Sequence, residues 1–327
     1  MNISIFDDLE EVSPISPPQD LMLYLDEIAE NTSSSTYYFN CFVFFSGIFS
    51  IFVCCINSAL ICYTVFKFRA LRTRTNYLLV NFFIVSSLFS VIYGIETCII
   101  SIAMRYYFLI YFLALMEPVL LNITWFIMML LALDWYSSAH WHGTFIKFTK
   151  YYKLILGFLY LVSFVVFILI HVINVHKFII FYIFVINYLT ILITIIAWNI
   201  MRLRRTYTTE MMKTYYAFAS ATLYILICSP VVFFMLINNI VNEFSYRSDW
   251  TQIFDNIMFW VISISMYITI LSPVLIAFLL TRWDSQFKLG FGQVLMMKFA
   301  RNNNLEGYTP YVNYTSGECI EEDVKLS

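Results

Sequence analysis

Three acids stand inside stretches that are otherwise apolar: Glu96, Glu117 and Asp134. A charge at mid-bilayer costs roughly 2.5–3.5 kcal/mol on insertion scales, so each acid calls for a partner or a purpose. Two kinds of chemistry are open to Glu117. Its carboxylate could meet the positive charge of a small molecule, with Glu96 adding negative field. Alternatively it is protonated, or hydrogen-bonded to Asn122, Thr124 or a nearby hydroxyl, and fixes helix packing alone. Pro118 beside it leaves a backbone carbonyl to be satisfied, since proline has no N–H to give. Glu117 precedes Asp134 by 17 residues, about 25 Å along a helix at 1.5 Å per residue. One helix thus carries an acid in its outer third and another at its far end.

Aromatic residues supply a second set of candidates. Phe, Tyr and Trp make up 20% of the chain, more than a polar site needs. Tyr106, Tyr107, Tyr111, Trp125, Tyr188 and Trp260 could line an apolar cavity for a volatile or lipid-like molecule. Tyr and Trp also favour the membrane interface, and most rings in such helices pack or face lipid. His171 and His176 flank a short loop, where His176 could sense pH. The His140-Trp141-His142 spacing puts two imidazoles on different faces of a helix, so no metal site is expected.

The elements that position these residues are membrane helices. The composition is 61% hydrophobic and 12% charged, against about 25% charged in a soluble domain. Apolar runs cover about 41–66, 76–104, 107–133, 154–173, 177–201, 214–240 and 254–281. Runs of about 20 apolar residues are spans, and each must be helical because lipid offers unpaired backbone groups nothing. The expected architecture is an all-α membrane protein, a seven-transmembrane helix bundle over 41–281. A flexible arm (1–40) precedes it; an interfacial amphipathic eighth helix (282–300) and a tail (301–327) follow.

Charge placement sets the orientation. All but three of the 19 Lys and Arg lie in the first, third and fifth loops and the tail; only Arg105, Lys177 and Arg247 lie opposite. That bias places the N-terminus outside and the C-terminus in the cytoplasm. The stretch FDDLEEVSPISPPQD is acidic and proline-bearing, suited to an exterior arm. It is flanked by sequons at Asn2 and Asn31, of which Asn31 is the better glycosylation site. The sequons at Asn122 and Asn313 fall in a span and in the cytoplasmic tail. No signal peptide is recognisable, so the first span directs insertion. Four of the seven cysteines sit within spans; only Cys41 and Cys98 are placed for a bond, the alternative being two packed thiols. No basic stripe stands clear of the spans, which argues against nucleic acid.

In this plan the order of several short motifs resembles the rhodopsin-like G-protein-coupled receptor superfamily. FRALRTRTNYLLVNFFIVSSL (68–88) looks like the inner loop and second helix of that group, with Asn81 at its Asn and Asn57 a candidate for the first-helix Asn. Ser86 stands where the group has Asp, which removes the basis for a mid-bundle sodium site. CSP (228–230) keeps the sixth-helix proline, Pro230, without the usual tryptophan. LSPVLIAFLLTRWDSQF (271–287) resembles the seventh-helix signature, with Ser272-Pro273 for Asn-Pro and Ile276 for Tyr. Asp134-Trp135-Tyr136 falls where the group has acid, Arg and Tyr. The combination of kept order and lost residues is most similar to nematode serpentine chemoreceptors of the Sre or Sra type. The outer cysteine pair of the superfamily is missing too.

The resemblance implies a chemosensory receptor in the plasma membrane of a sensory neuron cilium. It would bind a small-molecule ligand in its outer half and signal to a heterotrimeric G protein. Receptors of this group for amines place a carboxylate at the position of Glu117. Arg202, Arg204 and Arg205 would hold anionic membrane lipid, at about 1 kcal/mol each, or contact the G protein. Trp135 cannot do what Arg does there, though it could anchor at the interface, and Asp134 could be a solvated helix end. Two other classes compete. A seven-helix ligand-gated channel of the insect odorant type has its N-terminus inside, against the charge bias. A small-solute transporter predicts inverted repeats and broken spans, which the sequence does not show. No Lys in the seventh run could hold retinal, and no enzyme motif is present. Neither cofactor nor metal is expected.

Overall fold

A computed structural model describes residues 34–102, 107–140, 151–165, 177–203, 215–244 and 249–295. All the described residues but Phe68, Arg72, Thr73 and Asp284 are helical, and none forms a strand. The helices are α1 (Ser34–Lys67), α2 (Arg74–Ile102), α3 (Tyr107–His140), α4 (Tyr151–Val165), α5 (Lys177–Leu203), α6 (Tyr215–Phe244), α7 (Asp249–Trp283) and α8 (Ser285–Leu295). Six of them, α1 to α3 and α5 to α7, are long and apolar enough to cross a membrane. The chain is therefore a helical, multi-pass membrane protein. Over its described part α4 is shorter, and residues 166–176 lie outside the described ones.

Several helices outrun the apolar stretches that announce them. α1 starts at Ser34 instead of 41, α3 continues to His140, and α7 starts at Asp249. An apolar run marks only what lipid contacts, whereas backbone hydrogen bonding carries a helix on into polar sequence. Three prolines sit inside helices, Pro118, Pro230 and Pro273. Residues 34–40, expected in the arm, are helical; the rest of the arm (1–33) with Asn2 and Asn31, the tail, Arg204, Arg205, His171 and His176 lie outside the described residues.

α3 runs through the middle. It packs on α2, α5 and α6, while α1 closes the ring between α2 and α7, and α6 lies along α7. The buried core runs along these seams, through Phe82, Phe83, Trp125, Tyr188, Phe218 and Tyr224. The outward faces are apolar as well. Phe45, Phe49, Phe52 and Ile56 form an exposed stripe on α1, and Ile183, Ile186 and Ile193 one on α5. Exposed apolar residues at three- and four-residue spacing are what lipid requires.

Helices α1 and α2 touch backbone to backbone. A Cβ on Gly94 would lie 2.5 Å from Ile51 Cγ1 and 3.1 Å from the Gly47 carbonyl; one on Gly47 would lie 2.6 Å from Thr97 Oγ1. Small residues allow this approach, which drives helix association where lipid competes for apolar contact. Between them the short 3-10 turn Arg69–Leu71 reverses the chain. Asn76 donates Nδ2 to the Leu71 carbonyl at 2.9 Å, and Thr73 Oγ1 accepts the Asn76 N–H at 3.3 Å as a helix cap. At the other end of the chain Asp284 caps α8, accepting the N–H groups of Gln286 and Phe287 at 2.7 and 3.4 Å. Burial pushes the Asp284 carboxyl up from its usual range, and these two N–H bonds pull it the other way. Gly290 seats α8 against Phe68, Thr64 and Leu71.

Candidate functional site

At one end of the bundle the two glutamates meet. Glu96 on α2 and Glu117 on α3 share a side-chain hydrogen bond. Glu96 Oε2 and Glu117 Oε1 are buried atoms that no donor of the protein reaches. Tyr93 lies one helical turn from Glu96, close enough to feel both carboxyls, and hydrogen-bonds to Tyr267 on α7. Their rings make an edge contact at 5.8 Å, and Ser46 on α1 donates to the Tyr267 hydroxyl at 2.7 Å. Four helices therefore send a polar group to one place. Asn122 and Thr124, the other partners considered for Glu117, are engaged elsewhere: Asn122 with Asn187 on α5, Thr124 with Tyr224 on α6 at 2.8 Å.

Of the aromatic candidates, the structure brings two together. Trp125 is fully buried and packs on Phe184 and Tyr188, with ring centres 4.5 and 4.7 Å apart. The Tyr188 hydroxyl donates to the Ile225 carbonyl at 2.6 Å. These rings form a filled block joining α3, α5 and α6. Trp260 does not join them. It is 46% exposed, on the stripe with Ile257 and Ile264 that faces outward from α7. Tyr107 and Tyr111 lie on α3, with side chains outside the described residues, as does Tyr106 altogether.

Below this block the helices carry two serine–proline steps solved the same way. Proline removes the N–H that would bond the carbonyl four residues back. Ser229, before Pro230, donates Oγ to the Leu226 carbonyl at 2.7 Å; Ser272, before Pro273, donates Oγ to the Thr269 carbonyl at 2.6 Å. α1 grips the second step: Cys54 donates Sγ to the Ile270 carbonyl at 3.1 Å and Asn57 Nδ2 to the Pro273 carbonyl at 3.4 Å. Asn81 bonds its own helix at the Tyr77 carbonyl and accepts the Tyr160 hydroxyl of α4 at 3.3 Å. Ser86 is buried among them with an unpartnered hydroxyl.

The opposite end is held shut by Asp134-Trp135-Tyr136, each residue facing a different helix. Asp134 is 4% exposed, so it is not a solvated helix end. It forms an ion pair with Arg74 and accepts the Thr75 hydroxyl at 2.8 Å, both from the start of α2. Trp135 is 2% exposed, packed into the bundle and not anchored at its rim. Its ring meets Tyr215 at 5.6 Å and Phe218 at 4.8 Å, one turn apart on α6. Tyr136 stacks on Trp198 of α5 at 4.9 Å, with its hydroxyl 3.4 Å from Met201 Sδ. Arg202 of α5 lies over the Tyr215 ring, 3.9 Å from its centre, and hydrogen-bonds to the Tyr215 hydroxyl. Tyr216 donates to Asn76 on α2 at 2.9 Å and meets Phe287 of α8 at 6.4 Å.

No protein-family model matches the chain, and no curated protein matches it by sequence.

The acids were readable from the sequence; their companions were not. Tyr93 had one signal, its three-residue spacing from Glu96, which puts both on one helix face. Ser46, Tyr267, Arg74, Thr75, Tyr215 and Tyr216 come from distant segments and had none. Cys41 and Cys98 are both free thiols. Among the described residues no group of three or more His, Cys, Asp or Glu is placed to hold a metal ion.

Proposed function

We propose that this protein is a chemosensory seven-transmembrane receptor, related to the rhodopsin-like G-protein-coupled superfamily. In this reading α4 with the apolar sequence to 173 makes the remaining crossing. The charge bias puts the Asp134 end in the cytoplasm and the Glu96–Glu117 pair in the outer half. A small-molecule ligand binds beside that pair, and a heterotrimeric G protein meets the Asp134 end.

The observation that carries the reading is the division of labour along the bundle. One end gathers two half-buried glutamates, each with one buried oxygen that no donor of the protein reaches, and hydroxyls from α1, α2 and α7. The other is closed by contacts among α2, α3, α5, α6 and α8. Pro230 and Pro273 lie between, where a ligand could shift the balance between two packings of α6 and α7. The test is a ligand screen with a second-messenger readout in cells expressing the chain, with antibody tags at residue 30 and at the C-terminus. A ligand-dependent messenger response, with only the residue 30 tag reached in intact cells, is expected. A current evoked without a G protein, or a residue 30 tag reached only after permeabilisation, would overturn it.

A further inference from the structure

The Asp134 end of the bundle is rich in basic side chains and poor in acids. Among the described residues its acids are Asp134 and Asp284. Asp134 is spent on Arg74, and Asp284 on the N–H groups that start α8. Arg202, on α5, lies over the Tyr215 ring. Arg69, Arg72 and Lys288 are exposed, and the fold brings them to one corner. Gly290 lets α8 lie against the α1–α2 turn: a Cβ there would stand 3.1 Å from Phe68 Cδ2 and 3.2 Å from Leu71 Cδ1. Arg69 and Arg72 each follow one of those two residues, and Lys288 precedes Gly290 by two. Arg72 is steadied there, donating Nε to the Phe66 carbonyl at 3.0 Å. The Lys67 ammonium lies 5.7 Å from the centre of the Tyr63 ring. Next to this corner α1 turns two rings outward, Tyr63 at 44% and Phe66 at 50% exposure. α8 turns Phe287, Gly290 and Val294 onto the bundle. The apolar face by which an amphipathic helix ordinarily holds a membrane surface is thus spent within the protein.

We propose that the corner between the α1–α2 turn and α8 is a binding site for one anionic phospholipid. Its headgroup meets Arg69, Arg72 and Lys288, and its acyl chains lie along Tyr63 and Phe66. Charge complementarity selects this occupant, because guanidinium groups take phosphate oxygens in pairs. The exposed rings beside the charges select a lipid over a soluble anion, which would leave them nothing to cover. Basic clusters directly next to a span are where the anionic lipid of a cytoplasmic leaflet collects. The site goes beyond the receptor reading and needs only anionic lipid on this side of the membrane.

Native mass spectrometry of the full chain in mild detergent, titrated with phosphatidylserine against phosphatidylcholine, tests this. One phosphatidylserine per chain is expected to be retained in preference to phosphatidylcholine. Arg69→Gln and Lys288→Gln should each weaken its binding about fivefold, the worth of one basic residue near an anionic surface. Arg69→Lys and Lys288→Arg keep the charge and should keep the lipid. Lys153→Gln, which alters an exposed lysine on α4, is the control and should change nothing. No preference for phosphatidylserine overturns the site. An equal loss in Lys153→Gln also overturns it, since attraction would then belong to the basic surface at large. Displacement by glycerophosphoserine as strong as by the whole lipid would make this a site for a soluble phosphate, and overturns the lipid assignment. A chain that retains the lipid but answers no ligand upholds the site while the receptor reading fails, so the two failures are told apart.

Discussion

The hydroxyl of Tyr216 on α6 donates to Asn76 Oδ1 on α2 at 2.9 Å, across 140 residues of chain. Asn76 spends its amide N–H on the Leu71 carbonyl at the same time. One buried side chain thus fixes the first turn between spans and the base of α6.

Tyr216→Phe is expected to lower stability in detergent by about 0.6 kcal/mol and up to about 1.7, the range found for hydrogen bonds inside membrane proteins. Asn76→Ala should cost more, because it also abandons the Leu71 carbonyl. Thermal denaturation of both variants and the double variant checks this. A Tyr216→Phe protein as stable as the parent would mean that the bond contributes nothing.

Glu117→Gln keeps a hydrogen-bonding partner for Glu96 but removes the acid. Surface expression should persist, while potency of a cationic ligand falls by about tenfold or more, equivalent to about 1.4 kcal/mol. Full potency in this variant would remove Glu117 as a counter-ion and leave it the packing role. Glu117→Leu, which leaves the Glu96 carboxyl alone in the bundle, should reduce expression as well.

The close approach of α1 and α2 makes Gly94 intolerant of any side chain. Gly94→Ala is expected to destabilise by about 1–3 kcal/mol through overpacking. Ile51→Ala, which removes the side chain in the way, should recover part of the loss. Gly157→Ala on α4 is the control, since nothing lies within 4 Å of an added Cβ there; it should be neutral or mildly stabilising. Equal losses for Gly94→Ala and Gly157→Ala in a thermal-shift comparison would refute the packing argument.

Ser272→Ala leaves the Thr269 carbonyl open in the interior of the bundle, where the Ser272 residue is 1% exposed. Loss of about 1 kcal/mol is expected. Adding Pro273→Ala returns a backbone N–H to that carbonyl and should restore stability, while stiffening α7. A double variant no more stable than Ser272→Ala would show that the serine does something other than cap the proline gap.

Six of the seven expected spans reappear as helices long and apolar enough to cross a membrane, because apolar length is a direct demand of lipid, and it is written in each segment without reference to any other. Glu96 and Glu117 were legible for the same reason: acids are conspicuous where water is absent. Their meeting was not, since it depends on the rotation and register of α2 against α3. Arg74 illustrates the limit. In sequence it belongs to a basic loop and counts only toward orientation, whereas in the fold it is the partner of Asp134, 60 residues on. Trp135 misleads in the opposite sense, because tryptophan favours the interface and this one is packed between helices. Trp260 is the converse, an apparent pocket ring that faces outward.

The turn between α1 and α2 closes without help from later residues. The Leu71 N–H bonds the Phe68 carbonyl at 3.0 Å, Arg72 Nε the Phe66 carbonyl at 3.0 Å, and Asn76 the Leu71 carbonyl. With Gly47 against Gly94, the first two spans have their loop and their seam complete within the first hundred or so residues made. This hairpin is defined by contacts near in sequence, whereas the joints of α3 with α5 and α6 draw on residues 60 or more positions away.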